Sequence, residues 1–150
     1  MATSASRQIF ERYLHAIATR DLETLRELTH PDFEDLYPQS GELIRGIANM
    51  EAIISNYPGG TQGLGLERMV GGEERFVRSP LFTIIRVEGD EDSLTGIQRI
   101  GYPDGSVWLA IALCQLKDGL VYRMESYFAP TFDPPEWRAP WVEVQPRAGK

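Results

Sequence analysis

The spacing of apolar residues changes near residue 60, and this constrains the fold more than any other feature of the chain. Before that point the period is helical. Ile9, Phe10, Tyr13, Leu14 and Ile17 form one stripe, with Glu11, Arg12, His15 and Arg20 off it, which predicts a helix over roughly 5–19. Asp21 is placed to cap a second short helix that buries Leu22, Leu25 and Leu28, and His30-Pro31 closes it, because proline disfavours the α region in the residue before it. Between 32 and 39, Phe33, Asp35 and Tyr37 alternate with Glu34 and Leu36, the pattern of a short strand that breaks at Pro38-Gln39-Ser40-Gly41. Ile47, Met50, Ile53, Ile54 and Tyr57 then fit a third helix, ended by Pro58-Gly59-Gly60.

Beyond residue 60, turn signals separate runs rich in β-branched and aromatic residues at 64–70, 81–88, 94–102, 106–116 and 120–128. They read as a strand meander. Asp104-Gly105 and Asp118-Gly119 supply the positive φ that tight hairpins need, so the last three strands should be antiparallel neighbours. Helices followed by an antiparallel sheet make the chain α+β. At 150 residues and 42% apolar content there is one core to build, expected over 1–130. The tail, 131–150, carries Pro134, Pro135 and Pro140, which preclude continuous helix or central strand. Its Trp137 and Trp141 need a surface, either the domain or a second subunit.

Charge removes several partners. Fifteen Lys plus Arg against 22 Asp plus Glu leave a net charge of -7, which repels nucleic acid and anionic membrane surfaces. One Cys and two His supply neither an internal disulfide nor a His/Cys zinc cluster, so no metal is expected. Glu88 to Asp92 lacks the spaced ligands of a calcium loop and reads as a solvated hairpin tip. Gly59-Gly60 and Gly63-Leu64-Gly65 lack the Lys-Ser/Thr of a phosphate cradle. Met1 to Arg7 has no apolar core of signal-peptide length, and no run approaches membrane-spanning length, so a cytoplasmic location is expected.

Strand parity selects the candidate chemistry. If Phe33 faces the interior, so do Asp35 and Tyr37. Asp35 is then an acid held among Phe33, Trp108 and Phe128, where poor solvation raises its pKa toward the range useful for a general base. Tyr13 and Tyr37 stand as donors to a developing enolate oxygen. The competing readings are a hydrogen-bonded structural acid, or a solvent-facing one after a one-residue register slip. Tyr57 and Met50 have packing as their first role and pocket lining as their second. His15 is expected in solvent, and His30 at a helix end, capping carbonyls or meeting the dipole.

In the strand 106–116, Trp108, Ala110, Ala112 and Cys114 share one face, and Val107, Leu109, Ile111 and Leu113 the other. Small Ala110 and Ala112 leave room for a ligand, or else bulky helix side chains fill that room. With helices on one face only, the other apolar face is most simply covered by a second subunit. Met124, Ser126 and Phe128 are assigned inward, Glu125 and Tyr127 outward, and Cys114 is an inert core thiol.

Arg12-Tyr13-Leu14, Arg20-Asp21-Leu22, His30-Pro31-Asp32-Phe33, Tyr102-Pro103-Asp104-Gly105-Ser106-Val107-Trp108 and Gly119-Leu120-Val121-Tyr122-Arg123 resemble the SnoaL-like branch of the nuclear transport factor 2-like superfamily over roughly 7–130. The resemblance implies a cystatin-like cone in which three N-terminal helices pack in a strongly curved antiparallel sheet around an apolar pocket. It also implies homodimers formed through the outer sheet face. The superfamily includes ketosteroid isomerase, polyketide cyclases, limonene-epoxide hydrolase, scytalone dehydratase and binding domains without catalysis, so the fold does not decide the chemistry. Tyr13 falls on the oxyanion-binding tyrosine of ketosteroid isomerase, but Tyr37-Pro38 stands where that enzyme has its catalytic Asp-Pro, and Ala112 where it has a second Asp. The run 106–116 also lacks the Arg and Asp of the epoxide hydrolase pattern. Steroid isomerisation and epoxide hydrolysis are thereby disfavoured.

Two functions follow. One is a cofactor-free isomerase, cyclase or dehydratase with Asp35 as base, Tyr13 and Tyr37 as oxygen-binding donors, and Phe33, Tyr57, Trp108, Ala110, Ala112, Met124, Ser126 and Phe128 around a small apolar substrate. The other is a ligand-binding or dimerisation module without catalysis, in which Tyr13, Asp35 and Tyr37 satisfy one another.

Overall fold

The structure is a computed structural model and describes residues 4–58, 64–71, 76–78, 84–86 and 92–146. Helix α1 spans Ala5–Thr19, where the stripe predicts it. The Ser4 hydroxyl accepts the Arg7 N–H at 3.2 Å to start it, and Arg20 ends it in the left-handed region at φ 56°. Its buried face is Phe10, Tyr13, Leu14 and Ala16. Each of the larger three contributes about 1.5–3 kcal/mol by leaving water. Asp21 caps α2 (Leu22–Leu28), accepting the Thr24 N–H at 3.1 Å. The chain turns into β1 (Thr29–Tyr37) three residues earlier than its alternation indicates.

Strand β2 (Glu42–Arg45) and helix α3 (Ile47–Ser55) follow, then β3 (Leu64–Gly71), β4 (Phe76–Arg78), β5 (Ile84–Arg86), β6 (Ser93–Gly101), β7 (Val107–Lys117) and β8 (Leu120–Pro130). Six strands form one sheet in the order β2-β1-β8-β7-β6-β3, and β4 and β5 form a separate ribbon. β6, β7 and β8 are antiparallel neighbours as the two Asp-Gly turns require, with Gly105 and Gly119 at φ 85° and 72°.

The chain departs from a simple antiparallel meander in three places. β1 joins β8 in parallel, because these strands are far apart in sequence and no hairpin fixes their direction. β3 pairs with β6 instead of with the strand that follows it. Of the strand expected at 81–88, the described residues 84–86 form β5, paired with β4 in the separate ribbon, and 81–83 and 87–88 lie outside the described residues. The hairpin tip at 88–91 and the glycines 59, 60 and 63 lie outside the described residues.

The core lies on one face of the sheet, where Phe10, Leu14, Leu25 and Ile54 from the helices meet Leu94, Cys114 and Met124 from the strands. Gly96 lets α1 come close. A Cβ there would lie 3.2 Å from both Leu14 Cδ1 and Phe10 Cε1. Among the described residues, no helix is long and apolar enough to cross a membrane.

One expectation is corrected. His30 does not cap helix carbonyls. Its Nδ1 accepts the Asp32 N–H at 3.0 Å, and its ring meets the Tyr122 ring edge-on at 4.9 Å. Trp137 and Trp141, in the 3₁₀ segment Glu136–Trp141, are 70% and 78% exposed, so the chain's own domain does not cover them. Prolines 134, 135 and 140 hold that segment in a short, open conformation.

Candidate active site

The pairing register arranges the inner face of the sheet in rows. Leu94, Cys114, Met124 and Asp35 stand side by side across β6, β7, β8 and β1, with Ile44 of β2 beyond. All five are buried, and Asp35 is the one carboxyl among them. The next row is Gly96, Ala112 and Ser126, and the third is Gln98, Ala110 and Phe128. Small side chains in the middle of these rows leave a cavity of about 70 Å³, several times what one water needs.

Asp35, Tyr37, Ala110, Ala112, Met124, Ser126 and Phe128 line this cavity, facing Leu14 and Ile17 of α1. Met50, Ile53 and Ile54 of α3, with Tyr57 after it, complete the wall together with Gln98 and Ile100. Three residues expected at the site stand off the wall. Phe33 is buried against Tyr13 with ring centroids 6.3 Å apart, and Trp108 meets Tyr102 edge-on at 6.2 Å. Tyr13 lies behind the lining with its hydroxyl fully buried and bonded to nothing. Gln98 was not singled out by sequence pattern. The signal was an amide in phase with Gly96 and Ile100 on an otherwise apolar face.

Asp35 is 3% exposed. Desolvation pushes its pKa up to about 7, partly offset by the Ser126 hydroxyl, which donates to Oδ1 at 2.9 Å. A register slip that would turn this acid to solvent has not occurred, and Glu34 and Leu36 occupy the outer face. The surrounding phenols are held neutral. Tyr13 and Tyr37 are raised well above the ordinary tyrosine value, first by burial and then by the Asp35 charge. Burial also raises Tyr57, whose hydroxyl shares a 2.7 Å hydrogen bond with that of Tyr102. The Cys114 thiol is pushed up by burial and by Asp35, consistent with an inert core residue.

Tyr13, Asp35 and Tyr37 do not satisfy one another. The Tyr13 hydroxyl has no partner, and the hydrogen bond to the Asp35 carboxyl comes from Ser126. A buried, unbonded phenol costs about 1–3 kcal/mol. Chemically, the arrangement offers a carboxylate near its midpoint of ionisation at neutral pH beside donors that stay protonated. Among the described residues, no group of three or more His, Cys, Asp or Glu is arranged to hold a metal ion.

Neither a family model nor a curated protein matches the sequence. Solved structures do. An NTF2-like protein of unknown function from Burkholderia xenovorans LB400 superposes with a TM-score of 0.71 at 24% identity, covering 95% of this chain and 96% of that one. A candidate ketosteroid isomerase from Kribbella flavida DSM 17836 gives 0.76 at 22%, covering 97% and 93%. An LEH-like epoxide hydrolase of M. tuberculosis gives 0.58 at 15%, covering 85% and 84%. With its N-terminal helices on one face of an open sheet and a cavity between, the chain has the α+β cone fold of the NTF2-like superfamily.

Proposed function

We propose that this protein binds a small, largely apolar carbonyl compound in the cavity and moves a proton on the carbon beside the carbonyl. No cofactor is needed. The Asp35 carboxylate takes the α-proton, and the C–H electron pair moves into an enolate. The enolate oxygen accepts a hydrogen bond from the neutral phenol of Tyr37 on the cavity wall, and from that of Tyr13 once the lining moves aside to expose it. Returning the proton from Asp35 to a different carbon completes an isomerisation; alternatively the enolate electron pair forms the C=C bond and expels a β-hydroxyl, which takes the proton from Asp35 and leaves as water.

The observation that carries this reading is the state of Asp35: buried, held by one hydrogen bond, and raised to about 7 beside an unbonded phenol. At neutral pH about half of the molecules carry the base form. The candidate ketosteroid isomerase among the structural neighbours supports the reaction class by analogy of fold alone.

We also propose that a second copy covers the outer sheet face. Leu109, Ile111, Leu113 and Tyr127 stand there at 39%, 42%, 42% and 37% exposure, a contiguous apolar patch.

The test is hydrogen–deuterium exchange at the α-carbons of a ketone panel such as 2-tetralone and cyclohex-2-enone in D₂O. Exchange accelerated by the wild type and abolished by Asp35→Asn supports the enzyme. Binding without accelerated exchange leaves a ligand-binding module.

A further inference from the structure

The cavity has a polar group that proton transfer does not use. The Gln98 side chain lines the wall from β6 and makes no hydrogen bond to another described residue, and its row continues through apolar Ala110 on β7 to Phe128 on β8. It stands two rows from the one that holds Asp35, roughly 13 Å along the strands at about 3.4 Å per residue. Between the two ends the wall is mainly apolar: Ala110, Ala112, Met124 and Phe128 from the sheet, Leu14 and Met50 from the helices. The other polar pair at the cavity, Tyr57 with Tyr102, is already joined at 2.7 Å and has less need of a ligand.

We propose that Gln98 is a specificity-determining residue that reads a second polar group on the ligand, at the end remote from Asp35. The ligand is then an elongated apolar molecule with an oxygen function at each end, one placed for the base and one for the carboxamide; it is larger than the cavity of about 70 Å³, so the wall must open to admit it. A carboxamide both donates and accepts, so the distal group is a hydroxyl or a carbonyl. A one-ended molecule of equal size leaves the amide stripped of water with nothing in exchange, which lowers its affinity. This inference rests on the cavity being the ligand site.

Two rigid probes of matched shape separate the possibilities: 4-hydroxybiphenyl, with one hydroxyl, and 4,4′-dihydroxybiphenyl, with one at each end. Calorimetric titration of the wild type should show the diol binding about fivefold more tightly, beyond its twofold statistical advantage. Gln98→Leu should reduce the preference to the twofold statistical one, and should do so partly by tightening the binding of 4-hydroxybiphenyl, since no amide is then left desolvated. Gln98→Glu, which keeps the shape and an acceptor, guards against a merely structural effect and should retain part of the preference. A wild-type preference no greater than the twofold statistical one, or a larger preference that survives in Gln98→Leu, overturns the role of Gln98 and leaves the cavity reading intact. Failure of the wild type to bind either probe overturns the cavity reading, and the role of Gln98 with it.

Discussion

The Ser126 hydroxyl donates to Oδ1 of Asp35 across the parallel join between β8 and β1, 2.9 Å apart and both buried. This bond favours the charged carboxylate and opposes the desolvation that raises its pKa. In Ser126→Ala the opposition is gone, and the acid should titrate about one unit higher. Because the base must be ionised, activity should rise with pH through that higher midpoint instead of near 7. A pH–rate profile, with carbon-13 NMR titration of the Asp35 carboxyl, measures the displacement directly.

Asp35 also makes stability depend on pH. Its ordinary pKa is 3.8 and its folded value is about 7. Between these values the folded chain keeps a proton that the unfolded chain has released. Stability therefore falls as pH rises through this window and levels off above about 7, by at most on the order of 4 kcal/mol. Asp35→Asn cannot ionise, so it should match the wild type near pH 4 and exceed it at pH 8. Urea unfolding at the two pH values tests the sign: a variant less stable than the wild type at pH 8 contradicts a desolvated acid.

The floor of the cavity separates binding from folding. Ala112→Leu places a larger side chain beside Ser126 and Met124, where the void takes it up, so ligand binding should be lost while the unfolding midpoint changes little. Gly96→Ala, in the same row, meets Phe10 and Leu14 at 3.2 Å and should destabilise by about 1–3 kcal/mol as α1 gives way. Thermal unfolding of the two variants should therefore rank them in that order.

On the outer face, Ile111→Glu puts a charge in the middle of the exposed apolar patch. Sedimentation velocity should show the wild type as a dimer and this variant as a monomer with unchanged far-UV circular dichroism. A wild type that sediments as a monomer at tens of micromolar removes the proposed interface.

Much of this arrangement was legible from residue spacing. The stripe from Ile9 to Ile17 gives α1 its limits, and the parity of Phe33, Asp35 and Tyr37 gives their direction, because each pattern is long enough for one face to be buried and the other not. The alternation of Ala110, Ala112 and Cys114 with Leu109, Ile111 and Leu113 likewise separates cavity from exterior. Strands β2 and β4, of four and three residues, fall below the length at which a period of two can be recognised. Gln98 is less legible for a different reason: a lone amide on a strand says nothing of its surroundings until the hairpin register sets it opposite apolar Ala110, with Phe128 one strand beyond. The unbonded state of the Tyr13 hydroxyl is similarly a product of tertiary packing, since periodicity fixes the direction of a side chain but not what lies at its tip.

The turn after β1 carries a detail with a mechanical outcome. Gln39 follows Pro38, and its side-chain amide donates to the Phe128 carbonyl at 2.6 Å and accepts the Phe128 N–H at 2.5 Å, standing in for a backbone peptide group. The seam between the first and last strands has no covalent loop to hold its ends, so it is the joint at which the sheet would otherwise unzip. This clasp latches it two residues past Tyr37, and thermal fraying should start at the β2 or β3 margins before the acid loses its neighbour.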